Sequence, residues 1–352
     1  MKAKFFKLYL KSSLLTFKSY YIVLMRTFIF IITLSLISFQ YLNAQLPEEH
    51  LKNMVVQNDI KSITQWNHKF KDDKPEKDGY KNLHKEFDEN GNIVKEVYYR
   101  RGDINQKLSY KYDNNQNKTE YVNYSVQKNE VSFRQTIDYD STGKKVLERR
   151  FNGTDHFKIF YNYNSQDKLT EIVKKKQIKS GASASYELDE KRVFSRDGNI
   201  TTIKILDPEG TLLGKVVNKY DGNGNLIEFN EYEASGERIK QISYDFNKES
   251  LKTEEVKHQK GNFIYRKNYH YDKDGNLVEI QKEESDDNIY ISQTFNYNEK
   301  NKLTKEMWYD TMADKYSHKM FDYDDDGVLQ EVEVYYALYN YKVLYKFKYE
   351  YY

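Results

Sequence analysis

One short pattern recurs along the chain and dictates most of what it can become. An aromatic residue is followed by Asp or Asn, two polar residues, Gly, one polar residue and an aliphatic. It reads Phe87-Asp88-Glu89-Asn90-Gly91-Asn92-Ile93, Tyr220-Asp221-Gly222-Asn223-Gly224-Asn225-Leu226, Tyr271-Asp272-Lys273-Asp274-Gly275-Asn276-Leu277 and Tyr323-Asp324-Asp325-Asp326-Gly327-Val328-Leu329. An Asx carboxyl or amide oxygen accepts backbone N–H groups just ahead of it, and Gly takes the positive-φ position that other residues occupy only with strain. The pattern therefore marks a tight reversal between two strands.

Degenerate copies begin at Tyr112-Asp113, Tyr139-Asp140, Tyr163-Asn164, Phe194-Ser195, Leu206-Asp207, Tyr232-Glu233, Tyr244-Asp245 and Tyr297-Asn298. Positions 91, 116, 143 and 167 lie 25, 27 and 24 apart, with Gln116 and Asp167 standing in for Gly; positions 275, 301 and 327 lie 26 apart, with Asn301 as stand-in. Between 198 and 248 the spacing falls to 12–14, so the elementary unit is about a dozen residues and the longer period is two of them. Intermediate reversals fall at Arg101-Gly102-Asp103, Asn152-Gly153-Thr154, Lys260-Gly261-Asn262 and Ser285-Asp286-Asp287. Between reversals the residues alternate with period two, as in Val343, Tyr345, Phe347, Tyr349 and Tyr351 against Leu344, Lys346, Lys348 and Glu350. Such alternation, with 34 Tyr and 19 Phe in the chain, predicts strands. The expected fold is all-β: an antiparallel hairpin meander of about 20 or more strands, forming an elongated or coiled sheet. Residues 45–79 read as a lead-in, helical or irregular, followed by a first strand; residues 80–352 form the repeat domain.

The Tyr-Asp-x-x-Gly-Asn-Leu signature at 220–226 and 271–277 resembles the YD repeat of RHS-type proteins, and more narrowly the small exported YD-repeat proteins of Bacteroidota. The resemblance covers roughly residues 80–336. It implies a β-sheet shell that coils on itself and carbohydrate binding. The chain departs from the large members in having no toxin segment after the repeats.

The N-terminus addresses the chain. Met25-Arg26 precedes an apolar stretch from Phe28 to Phe39, and Leu42 and Ala44 occupy the two recognition positions before a cut, the second of them small. This describes a signal peptide over residues 1–44, with Met25 as the expected start and cleavage after Ala44. The apolar run is short for a membrane span, which takes roughly 20 residues, so no transmembrane span is expected after its removal. The sequence has no Cys, which closes lipid anchoring through cysteine, disulfides and thiolate chemistry. Residues 1–44 hold six Lys/Arg and no Asp/Glu, which leaves 50 basic against 54 acidic residues in the mature chain. A nucleic-acid partner needs a positive surplus, so none is expected.

Candidate sites are few. Asp322, Asp324, Asp326 and Glu333, with Gly327 between, fit the calcium-loop spacing of acids at about positions 1, 3 and 5, Gly at 6 and Glu at 12, although the same glycine is the repeat's own turn residue. The seven His are scattered without zinc spacing. Gly181-Ala182-Ser183 lacks the setting of a nucleophile elbow, and Glu254-Glu255 and Glu283-Glu284 alternate faces and read as solvated edges. The aromatic group Trp308, Tyr309, Tyr335, Tyr336, Tyr339 and Tyr341 is the densest in the chain and is the candidate ligand surface, because rings of this kind stack on apolar faces and keep a polar tip wet. No catalytic constellation and no cofactor site is read. The expectation is an exported, non-enzymatic interaction or scaffold module at the cell envelope (periplasm, outer-membrane surface or extracellular), with an envelope protein or glycan as partner. A carbohydrate-binding protein and an outer-membrane-associated β protein are the alternatives.

Overall fold

The structure, a computed structural model, describes residues 48–352 apart from 180, 182, 183, 286 and 287. The signal peptide, the Met25 start and the cleavage after Ala44 lie outside the described residues, as does part of the reversal at 285–287. Packing divides the chain into Met1–His50 and Leu51–Tyr352, and the repeat sheet belongs to the second unit.

The lead-in is helix α1 (Glu48–Gln57). It stops where Asn58 donates its side-chain amide to the Met54 carbonyl and Asp59 takes a φ of 50°, a C-terminal cap of the left-handed kind. Met54 and Val55 are buried, and Lys52 reaches the Asn92 side chain at 2.8 Å. Strand β1 (Ile60–Lys71) follows, then the two-residue β2 (Lys74–Pro75) folded back on it.

From β3 (Tyr80–Phe87) and β4 (Ile93–Arg100) to β22 (Leu329–Tyr336) and β23 (Tyr341–Tyr351), each strand pairs antiparallel with its successor in sequence. The expected meander is therefore correct, but its outline is not an open elongated or coiled sheet. β1 pairs on one side with β3 (Gln65 opposite Leu83) and on the other with β23 (Gln65 opposite Phe347), so the sheet closes into a 22-strand barrel. At about 4.8 Å per strand, the roughly 105 Å that an open sheet would span becomes a perimeter. Closure removes both edges, the part of a sheet most prone to pair with other chains.

The repeat chemistry is visible in every well-kept copy. Asp272 Oδ1 accepts the N–H groups of Asp274 (2.9 Å) and Asn276 (2.8 Å), and Oδ2 accepts the Asn276 side-chain amide (3.0 Å). Asp88, Asp113 and Asp221 repeat this set. The stand-ins behave as glycines do: Gln116, Asp167 and Asn301 have φ of 66°, 62° and 56°. Neighbouring reversals are laced together, with Asn276 donating to Asn301 Oδ1 at 3.2 Å and Lys144 pairing with Asp167 at 2.7 Å.

The repeat tyrosine adds a second stitch. Its hydroxyl donates to the backbone carbonyl of the residue that ends the preceding copy: Tyr112 to Ile93, Tyr163 to Lys145, Tyr271 to Lys252, Tyr297 to Leu277 and Tyr323 to Leu303, at 2.8–3.0 Å. Tyr349 does the same to Leu329. Tyr352 completes the ring, its N–H donating to Asp59 and its hydroxyl to the Phe87 carbonyl of the first copy.

The Phe194-Ser195 copy reverses at its own glycine position, Gly198 at φ 56°, although Ser195 stays within the strand Ser185–Asp197. One degenerate copy sits elsewhere than its sequence suggests. Tyr244-Asp245 lies inside β15 (Arg238–Phe246), and the reversal is built two residues later on Asn247, with Ser250 at φ 61°. The close spacing in this stretch arises because Asp207 and Glu233 carry the motif at the opposite ends of the strands from Asp221 and Asn247.

Candidate ligand surfaces

Side chains alternate between the two faces of each strand, and paired positions share a face. In β21 (Lys315–Tyr323), Ser317, Lys319 and Phe321 are buried while Met320 is 44% exposed. Burial is concentrated on the concave side, where curvature crowds neighbours, although small side chains such as Val97, Val122 and Val256 are also covered on the other face. The face carrying Ile63, Gln65, Leu83, Lys85, Glu96, Val332, Val334 and Tyr345 is thus the inner one.

This inner face is not simply apolar. Glu96, Glu148, Glu255 and Glu306 each follow a repeat aromatic (Phe87, Tyr139, Phe246, Tyr297) by nine residues. Glu96 accepts Lys85 at 3.1 Å and the Tyr110 hydroxyl at 2.7 Å. Glu148, 1% exposed, accepts Lys145 at 3.1 Å, Arg150 Nε at 2.9 Å and the Tyr161 hydroxyl at 3.0 Å. Glu255 accepts Lys252 at 2.7 Å and the hydroxyls of Tyr265 and Tyr269 at 2.7 and 3.3 Å. Glu306 pairs with Lys319 at 3.1 Å. Burial pushes the Glu148 carboxyl up, but Arg150 and Lys145 outweigh it and hold the group below the ordinary glutamate range; at Glu255, Lys252 and Tyr265 outweigh burial in the same way. Burial, reinforced by the adjacent carboxylates, pushes the phenols of Tyr110, Tyr161 and Tyr265 up. At Glu148 and Glu255, ionised carboxylate and neutral phenol are each locked, so these two clusters brace the sheet and do not exchange protons near neutrality.

The reading of Glu254-Glu255 and Glu283-Glu284 as solvated edges needs correction. Glu254 and Glu283 grip Arg266 on the outer face, at 3.0 and 2.7 Å, while Glu255 is an inner brace and Glu284 binds Lys282 and Tyr290. The offset of nine from the repeat aromatic is the sequence signal that marks these glutamates.

The six-residue aromatic group gathers at one end of β20 (Leu303–Asp310), β21, β22 and β23, but as three sets of rings. Trp308 meets Tyr336 edge-on at 6.2 Å and Tyr336 stacks with Tyr341 at 6.4 Å, an inner set; Lys319 lies over Trp308 at 5.5 Å. Tyr309 packs against Tyr290 and Tyr316 at 5.0 and 5.2 Å. Tyr335 points to the other face, over His318 at 5.4 Å, with its hydroxyl on Asn340 Oδ1. Tyr339, on the short 3-10 turn Ala337–Tyr339, is 74% exposed, and Met312 on the adjacent reversal is 75% exposed.

The acidic loop is a working repeat turn. Asp324 Oδ1 accepts the Val328 N–H at 2.8 Å and Oδ2 the Gln330 amide at 2.7 Å. Asp322 stands in β21 opposite Glu331, Asp326 lies in the turn, and Glu333 stands in β22 with Lys342 at 3.4 Å. Among the described residues, no three acidic or His side chains gather as a metal-binding group.

The outer face is charged at mid-strand: Lys95, Lys107, Arg134 and Arg149 are all exposed there. Among the described residues no helix is long and apolar enough to cross a membrane.

The class these features define is a closed antiparallel β-barrel built from Asx-Gly hairpin repeats. No family model matches the chain, and no curated protein matches it. Among solved structures it is similar to a complex titled TcdB2-TccC3-Cdc42, at 12% identity and a TM-score of 0.27, covering 78% of this chain and 18% of that one. A porin-like protein from Bacteroides uniformis matches at 12% identity and a TM-score of 0.29, covering 62% of this chain and 96% of that one. Another porin-like protein, from Bacteroides vulgatus, matches at 11% and 0.24, covering 83% and 99%. At these scores the likenesses carry no argument about function.

Proposed function

We propose that the chain is an exported, non-enzymatic interaction module of the cell envelope: a closed barrel that presents aromatic side chains to an envelope glycan or protein. The observation that carries this reading is the concentration of rings at one end of β20–β23, where the Trp308–Tyr336–Tyr341 set adjoins the exposed Tyr339. Rings held in place by cross-strand packing offer contact area at small entropic cost. A glycan array and an envelope pull-down, each run with the native chain and with Trp308→Ala and Tyr339→Ala, test it. Binding that survives both substitutions, or no binding to any envelope component, defeats the reading.

A second reading, an outer-membrane-associated β protein, is favoured by closure of the sheet. The association proposed is at the membrane surface. Outward charges such as Lys107 and Arg134 would cost about 2–4 kcal/mol each at the bilayer midplane. The mature chain is expected to remain in solution without detergent; aggregation that only detergent reverses would favour a spanning barrel instead.

A further inference from the structure

The inner face over β14 (Leu226–Glu233), β15, β16 (Lys252–Gln259), β17 (Asn262–Tyr271) and β18 (Leu277–Glu284) differs from the rest of the lining. Five lysines stand there: Lys240, Lys252, Lys257, Lys267 and Lys282. Lys252 and Lys282 have carboxylate partners, Glu255 and Glu284. Lys240, Lys257 and Lys267 form no ion pair among the described residues. Instead each lies over a ring: Lys240 over Phe229 at 5.1 Å, Lys257 over Tyr265 at 5.8 Å and Lys267 over Tyr265 at 5.1 Å. Lys267 sits directly opposite Lys282 in the sheet, and like charges placed so repel. All five are half-exposed. Burial depresses Lys267 and Lys240, with neighbouring lysines adding to it, and outweighs the carboxylate that each faces across the sheet, Glu255 and Glu231. A chain with an acidic mature balance thus gathers five lysines on this part of a concave surface against the three carboxylates Glu231, Glu255 and Glu284, a local surplus of positive charge.

We propose that this inner face binds an acidic polysaccharide, its carboxylates or sulfates meeting Lys240, Lys257 and Lys267 and its sugar rings lying against Phe229 and Tyr265. Charge complementarity supplies the anion. The alternation of amine and ring from strand to strand supplies the sugar, because a chain of pyranose rings presents apolar C–H faces between its charged groups, which a simple anion does not. The site stands apart from the ring cluster on β20–β23 and does not depend on it.

The test measures binding of the mature barrel to polygalacturonate by affinity electrophoresis, with neutral dextran and polyglutamate as comparison polymers. Polygalacturonate is expected to retard the native chain, more than polyglutamate does, and dextran not at all. The triple change Lys240→Gln, Lys257→Gln and Lys267→Gln is expected to weaken retention by about tenfold or more, the loss of at least one charge-assisted contact. The equal charge change on the outer face, Lys107→Gln, Lys158→Gln and Lys204→Gln, is expected to leave it within about twofold, as distant surface charges contribute little. Equal loss from the two triples overturns the site, and equal retention by polyglutamate overturns the sugar. A second measurement needs no variant: bound polygalacturonate should shield Lys267 from an amine-acylating reagent, read by mass spectrometry, and unchanged labelling overturns the proposal.

Discussion

Consider replacing the repeat tyrosines Tyr271, Tyr297 and Tyr323 by Phe. Each change removes one oxygen and leaves the ring, so packing between strands is kept. What is lost is one O–H···O=C bond per site, of 2.8, 3.0 and 2.8 Å, to the carbonyls of Lys252, Leu277 and Leu303. A hydrogen bond of this kind contributes about 0.5–1.5 kcal/mol net. The carbonyls are part-buried, which places each loss toward the upper end. The three sites lie in successive copies with no shared partner, so the losses should add, to about 3 kcal/mol. Urea unfolding followed by far-ultraviolet circular dichroism reads the effect as a lowered midpoint, stepwise from single to triple variant. Tyr339→Phe is the control: its ring is 74% exposed, and its change should stay within about 0.5 kcal/mol. If the triple variant unfolds at the native midpoint, or Tyr339→Phe shifts it equally, the tyrosine stitch does not hold the copies together.

Gly224→Ala isolates backbone strain, because nothing lies within 4 Å of the added Cβ while φ is +85°; unfolding free energy should fall by about 1–2 kcal/mol. Removing residues 341–352 deletes β23 and reopens the ring, exposing β1 and β22 as edges; size-exclusion chromatography should show the shortened chain associating into larger species than the native chain does. The stitch tyrosines Tyr297 and Tyr323 have phenols raised above 10.0 by burial, so their stability is fully present below that pH and is lost as pH climbs past it; alkaline unfolding should shift less in the triple Phe variant. Glu148, held below the ordinary 4.5 by Arg150 and Lys145 against burial, contributes stability present above that value and lost as pH falls through its lowered folded pKa. Glu148→Gln should flatten the acid limb of the unfolding curve while destabilising the barrel at neutral pH.

Particular residues show where reading from sequence ran out. At Asp88, Asp221 and Asp272 the reversal was legible because all its bonds lie within five residues. At Tyr244-Asp245 and Phe246-Asn247 two such pairs compete, and the choice of Asn247 depends on the register of β15 against β16, where Phe246 faces Lys252. The six aromatic residues are close together in the sequence, but their division into inner, outer and end-on rings follows the pleat and the bulges of the assembled strands. The glutamate braces were missed because their lysine and tyrosine partners come largely from neighbouring strands.

The amino-acid sequence by itself determined the pitch, the reversals and the antiparallel strands, because Asx carboxyl groups and positive-φ residues act on backbone only a few residues away. Only the tertiary structure decided that the sheet closes, placing Ile60 beside Tyr351, and which face of each strand is inner. Closure depends on twist accumulated over all the strands, a sum to which each hairpin contributes a little and which no single stretch of residues records.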